Sequence, residues 1–212
     1  MEYFVAKTNE IDPGINSLEW EKAKTGYIEY EPWIDRPVSK LTKSPNTTFK
    51  VLRGPEGISV LMHTDETHLR AEELEENGPI CNDSCMEFFL KPSPWDVRYL
   101  NFEINPKGVM HLGVGKDRFE REFVKEERKI FSIVSDAKEG DWTLKFYIPF
   151  KVIENVYPDL EELSRGNSSH MVRANFFKCG GKTDHPHLAS WTNIQIKNAD
   201  FHVPDFFGRL IF

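Results

Sequence analysis

The chain has three cysteines in 212 residues, Cys81, Cys85 and Cys179. They are too few, and odd in number, to close a disulfide framework. Buried free thiols are the expectation, with the alternative that Cys81-x3-Cys85 bridges or joins other residues on a metal. No apolar run approaches the ~20 residues of a membrane span, so no membrane partner is expected. Met1 to Glu10 lacks a basic stretch followed by an apolar one, so no secretory signal is visible. This predicts a cytoplasmic protein if Met1 is native and a secreted one if a leader has been removed. Basic residues are also in deficit, with 27 Lys and Arg against 34 Asp and Glu and a net charge of −7. A nucleic-acid partner needs a basic face, so none is expected. Gly-x-Ser-x-Gly, a phosphate-cradling loop with Lys and a dinucleotide fingerprint are all missing. The glycines of Val109 to Lys116 have the wrong spacing, and their context is a strand.

Helical patterning is sparse. Ser17 to Ala23 reads as a short capped helix, Phe150 to Val156 as two turns and Leu160 to Leu163 as one more. What the chain does have is aromatic residues, at 13% with 16 Phe, and alternation. Ile58, Val60 and Met62 alternate with polar neighbours, as do Trp142, Leu144, Phe146 and Ile148, and Val172, Ala174 and Phe176. In Tyr99 to Asn105, Leu100, Phe102 and Ile104 share one face, while Tyr99, Asn101, Glu103 and Asn105 share the other. Met86, Phe88 and Leu90 likewise oppose Glu87. Many such strands with few helices predict an all-β fold. It is an antiparallel β-sandwich with one or two short peripheral helices, formed by residues 1–212 as one domain.

The faces turned away from the core carry Glu87, Asn101, Glu103, Asn105, Arg173 and Asn175. Carboxylates accept hydroxyls, amides donate and accept, and Arg donates in a rigid fork. With an aromatic plate from Trp191, Trp95, Tyr99 or Phe177, such a face suits a sugar. A solvated outer sheet face accounts for the same pattern. Glu87 and Glu103 could also form a glycosidase pair, which requires a defined carboxyl separation. Cys179, His185 and His187 offer zinc ligands at a spacing that matches no standard zinc pattern. Asp65, Glu66, Asp83, Asp136 and Asp141 offer oxygens for calcium but form no contiguous loop.

The chain resembles the family 9-like carbohydrate-binding modules, which have a jelly-roll-like sandwich. The resemblance rests on Asn82 to Leu90, Tyr99 to Gly108, and Trp142 with Ile148-Pro149-Phe150. It continues through Arg173 to Cys179, His185 to Trp191 and Phe201 to Gly208. It implies non-catalytic carbohydrate binding linked to carbohydrate catabolism, with no required cofactor and with structural calcium possible. It also implies that Glu87 is the family carboxylate, Asn105 a sheet-face asparagine and Trp191 the C-terminal tryptophan. The family's first tryptophan falls at Cys81 and its arginine at Glu103, so part of the sugar sandwich departs from the pattern. Trp95 or Tyr99 could replace the missing plate. The rival expectations are a glycan-processing enzyme and a sandwich that has lost sugar binding and mediates protein contacts.

Overall fold

The computed structural model describes residues 1–35, 40–158, 160 and 171–212. The strands, in chain order, begin with β1 (Glu2–Phe4), β2 (Ala6–Lys7), β3 (Gly26–Ile28), β4 (Thr47–Arg53) and β5 (Gly57–Thr64). Next come β6 (Ser84–Lys91), β7 (Tyr99–Ile104), β8 (Met110–Gly115), β9 (Arg121–Phe123) and β10 (Val134–Lys138). The last are β11 (Asp141–Pro149), β12 (Met171–Gly180), β13 (His187–Ser190) and β14 (Gly208–Ile211). One α-helix, α1 (Phe150–Val156), follows β11 directly. The segment read as a capped helix is a 3-10 turn, Leu18–Lys22, with Ser17 accepting from the Glu19 amide. Residues 161–163 of the third expected helical turn lie outside the described residues. Among the described residues, no helix is long and apolar enough to cross a membrane.

The strands form two sheets. The larger runs β1-β14-β12-β6-β7-β8-β9, with β13 also on β12; the smaller runs β10-β11-β5-β4-β2, with β3 also on β4. Most neighbours are antiparallel, as alternation with short connections favours. The parallel pairs β1–β14 and β2–β4 make both sheets mixed, a refinement of the purely antiparallel expectation.

The alternating apolar residues meet between the sheets. Met86, Phe88, Leu90, Leu100, Phe102, Ile104, Val172, Ala174 and Phe176 face Phe49, Val51, Ile58, Val60, Met62, Leu144 and Phe146 in one core cluster. Phe49 of β4 stacks on Phe176 of β12 with ring centroids 3.7 Å apart, which ties one sheet to the other. Burial of one such ring stabilises by roughly 1.5–3 kcal/mol.

A second cluster lies on the far side of the larger sheet. Trp33, Ile80, Cys85, Phe89, Tyr99, Phe177, Cys179, Ile194, Phe201 and Phe207 pack together there. The chain after β13 folds back across the sheet and brings Ile194, Phe201 and Phe207 onto its outer face. The alternation therefore assigns the two faces correctly, but the face expected to be solvated is largely covered.

Candidate functional site

That cover decides the fate of each residue proposed from sequence. Trp191 does not stand beside Glu87. Its ring lies in the inter-sheet core, edge-on to Phe49 at 5.5 Å and to Phe176 at 5.9 Å. A Cβ on Gly208 would come within 2.6 Å of this ring, so that position holds glycine for close approach. Phe177 is buried and stacked on Phe201 at 4.2 Å. Tyr99 is buried too, with its hydroxyl 2.7 Å from His202 Nδ1. Trp95 is 93% exposed, on the loop between β6 and β7.

Asn105, Asn175 and Arg173 have structural partners. Asn105 Oδ1 accepts from the Lys107 and Val109 amides, and its Nδ2 donates to the Glu73 carbonyl and Asp83 Oδ2. Asn175 Oδ1 accepts from the Phe176 and Thr192 amides, while its Nδ2 donates to Thr192 Oγ1. Arg173 donates to the carbonyls of Asp205 and Phe207 and holds down the returning chain. Buried amides with all these partners satisfied are scaffold, not a free binding surface.

Glu87, Glu103 and Asn101 do come together. The register places Glu87 opposite Glu103 and Glu103 opposite His111, so β6, β7 and β8 carry one transverse polar row. Glu87 is 2% exposed and Glu103 4%. Burial and the neighbouring Glu103 push the Glu87 carboxyl well above the usual carboxylate range. Asn101 Nδ2 donates to Glu103 Oε1 at 2.8 Å, and Arg121 Nη1 from β9 lies 3.5 Å from the same oxygen.

Sequence reasoning missed Arg121, His111, Phe123 and Gly113. The family arginine position holds Glu103, and a guanidinium arrives instead from β9, which pairs with β8 through Gly113↔Phe123 and Gly115↔Arg121. Asn101 Oδ1 and His111 Nε2 are buried without hydrogen-bond partners. A Cβ on Gly113 would lie 2.6 Å from the first and 3.5 Å from the second, so glycine keeps the space between them clear. His111 Nδ1 is 3.2 Å from the Gly78 carbonyl and must donate there, so in the neutral ring Nε2 is the acceptor. Phe123 is half exposed and sits edge-on to His111 at 5.4 Å. The one sequence signal was the alternation Arg121-Glu122-Phe123, too short to read as a strand.

The cysteines complete the face. Cys179 lies opposite Cys85 in the β12–β6 register, and its thiol donates to Glu87 Oε1 at 3.0 Å. All three cysteines are free. Burial pushes the Cys85 thiol up to about 11; the adjoining Cys85 thiol, and then burial, raise that of Cys179. The proposed zinc grouping separates, because His187 turns away from Cys179 towards Glu66, with Nε2 to Oε1 3.8 Å. His187 lines a cleft of ≈ 360 Å³ together with Asp65, Glu66, His68 and His185.

The oxygens named for calcium do not converge. Asp83 accepts from Arg70, from the amides of Glu72 and Glu73 and from Asn105. Glu66 pairs with Lys178, Asp65 with Asn46, Asp136 with Lys138 and Asp141 with His63. Carboxylates so committed to protein donors do not fit a calcium shell of six or more oxygens.

The model of carbohydrate-binding family 9 matches residues 15–212. A Bacteroides uniformis protein assigned to carbohydrate binding is 26% identical; the alignment covers 100% of this chain and 98% of that one, with a TM-score of 0.81. A family 9 carbohydrate-binding module of Caldicellulosiruptor kristjanssonii, solved with cellotriose, has 10% identity and a TM-score of 0.67 over 99% of this chain and 92% of its own. The structure of that module with glucose gives the same identity and TM-score, covering 99% and 94%. At 10% identity these last two likenesses speak for the fold alone. A search of curated proteins finds no match. With a match that spans nearly its whole length, the chain belongs to carbohydrate-binding family 9.

Proposed function

We propose that this chain binds carbohydrate, without breaking it, on the floor formed by Asn101, Glu103, His111 and Arg121, with Phe123 as the aromatic plate. The observation that carries the reading is the pair of unpartnered atoms, Asn101 Oδ1 and His111 Nε2, that open onto Gly113. Both accept hydrogen bonds, as does the Glu103 carboxylate, while Arg121 donates. Sugar hydroxyls donate and accept, so one pyranose edge can satisfy this set. Leaving such atoms buried and unpaired costs about 1–3 kcal/mol each, which a bound hydroxyl relieves. Glucose-based oligosaccharides or polysaccharide ends are the favoured ligands, because the Caldicellulosiruptor kristjanssonii module was solved with cellotriose and with glucose. A link to polysaccharide catabolism belongs to the same proposal.

The raised Glu87 carboxyl beside Glu103 is the observation that favours an enzyme instead. Both groups are engaged, however: Glu87 by the Cys179 thiol, and Glu103 by Asn101 and Arg121. This engagement of each carboxyl by protein donors is why we prefer binding to hydrolysis.

Calorimetric titration with glucose, cellotriose and xylo-oligosaccharides tests the proposal. Arg121→Ala removes a charged donor and should weaken binding by about 1.5–3 kcal/mol, roughly 10- to 150-fold. Gly113→Val should abolish the heat by filling the space in front of Asn101. Aryl glycosides should bind without aryl release. The proposal is lost if none of these glycans gives heat, or if Arg121→Ala and Gly113→Val bind like the parent.

A further inference from the structure

The three cysteines play no part in the sugar floor, yet two of them, Cys85 and Cys179, meet Glu87 beside it. Cys85 and Glu87 are two residues apart on the same face of β6, and Cys179 is the cross-strand partner of Cys85. One ligand atom from each of these residues lies within 4.8 Å of the others, and all three residues are buried. Cys81 sits on the turn at the exposed margin, with its carbonyl 3.7 Å from Cys179 Sγ.

We propose that Cys85, Glu87 and Cys179 form a site for a thiophilic divalent cation, with Zn²⁺ as the natural occupant and Cys81 as the fourth ligand at its entrance. Zinc–sulfur bonds of about 2.3 Å and zinc–oxygen bonds of about 2.0–2.2 Å place tetrahedral neighbours roughly 3.5–3.8 Å apart. Closing 4.8 Å to that range needs side-chain adjustment by about an ångström, on strands whose backbone register is already fixed. Sulfur donors select against calcium and magnesium, which take oxygen. Without the cation, the cluster keeps its protons, with Cys179 donating to Glu87. Binding would release the thiol protons, and that of the carboxyl, to solvent. Three thiolates and a carboxylate around a dication leave two net negative charges, which Arg121 and Arg118 face.

The test uses the full chain, reduced, stripped with chelator and titrated with Cd²⁺, followed by ultraviolet thiolate-to-cadmium absorption. The expected result is one Cd²⁺ per chain, displaced by Zn²⁺, with proton release. Cys179→Ala should weaken binding at least about 100-fold, more than changes to groups outside the ligand set normally cost. Glu87→Gln removes an anionic ligand and should also weaken it by more than about 100-fold, beyond the range for groups outside the ligand set. Near-ultraviolet circular dichroism checks that each variant is folded. The parent protein's stoichiometry and absorption decide the question even if a variant unfolds. Absence of thiolate-to-cadmium absorption in the folded, reduced parent overturns the proposal, as does unchanged affinity in Cys85→Ala/Cys179→Ala. A Cys85–Cys179 disulfide that forms in air, together with reduced protein that takes no cadmium, overturns it in favour of a redox pair. Sugar titrations of the stripped protein are independent, so neither proposal falls with the other.

Discussion

Glu66→Ala is expected to destabilise the protein by about 3–5 kcal/mol, the cost of leaving a buried charge without its partner. Its partner, Lys178, stands on the inner face of β12, in line with Val172, Ala174 and Phe176, where alternation calls for an apolar residue. The side chain is fully buried, with Nζ 2.7 Å from Glu66 Oε2. The ammonium also donates to the carbonyls of Cys179 at 2.8 Å and Cys85 at 3.3 Å, and it lies 5.7 Å from the Trp142 ring centroid. Ser84 Oγ donates to the other Glu66 oxygen at 2.8 Å. The two charges are therefore in close ionic contact, and each depends on the other. Urea unfolding of Glu66→Ala, Lys178→Met and the double variant measures this. The double variant should recover most of the loss, because no unpaired charge remains. A single variant that costs less than about 1 kcal/mol would show that the pair is solvated in solution.

Acid should destabilise the reduced, metal-free protein early. Burial holds His187 at about 3 and His202 at about 2, against an ordinary value of 6.5. For His187 the Lys178 ammonium adds to burial. Glu66 lies 3.8 Å away but does not rescue the charge, because Lys178 already neutralises it. For His202, Arg121 stands 3.4 Å from Nε2, and Arg can only donate, so that nitrogen keeps its lone pair.

The unfolded chain takes up both protons near pH 6.5 and the folded chain does not. The stabilisation is complete above that value and is lost as pH falls from 6.5 towards 3. Each histidine should cost about 2 kcal/mol between pH 6.5 and 5, at about 1.4 kcal/mol per unit. Glu87 has the opposite sign: its raised folded value favours the fold below its unfolded value, and that contribution is lost as pH rises through the raised one. Over the same interval it offsets about one histidine, which leaves a net loss of about 2 kcal/mol. Urea midpoints at pH 6.5 and 5 test this, and His202→Phe should nearly flatten the difference. An unchanged or greater stability at pH 5 would mean that the imidazoles are protonated in the folded protein.

The strands were legible because side-chain alternation has a period of two and one face of each strand is apolar. Glu87, Glu103 and Asn101 could be read as neighbours for the same reason. The cover over them could not be. Residues 191–207 carry no regular period, and nothing local shows that Phe201 and Phe207 pack on the outer face instead of dangling in solvent. Trp191 misled because a tryptophan after a strand looks like a plate, whereas Gly208, seventeen residues on, makes the gap that draws it into the core. Arg121 was hidden by the shortness of β9, and His111 by a glycine-rich strand in which Gly113 serves the space above Asn101. Lys178 breaks the alternation of β12, and only the three-dimensional position of Glu66 explains it.

The most direct test of carbohydrate binding at this face is a titration of ¹⁵N-labelled protein with cellotriose, followed through the backbone amide resonances. The prediction is that Gly113, Arg121, Phe123 and Asn101 shift together and saturably, while Trp191 and the residues around Glu66 stay fixed. Shifts confined to the Glu66–His187 cleft or to the Trp95 loop, or no shifts at millimolar sugar, would contradict it.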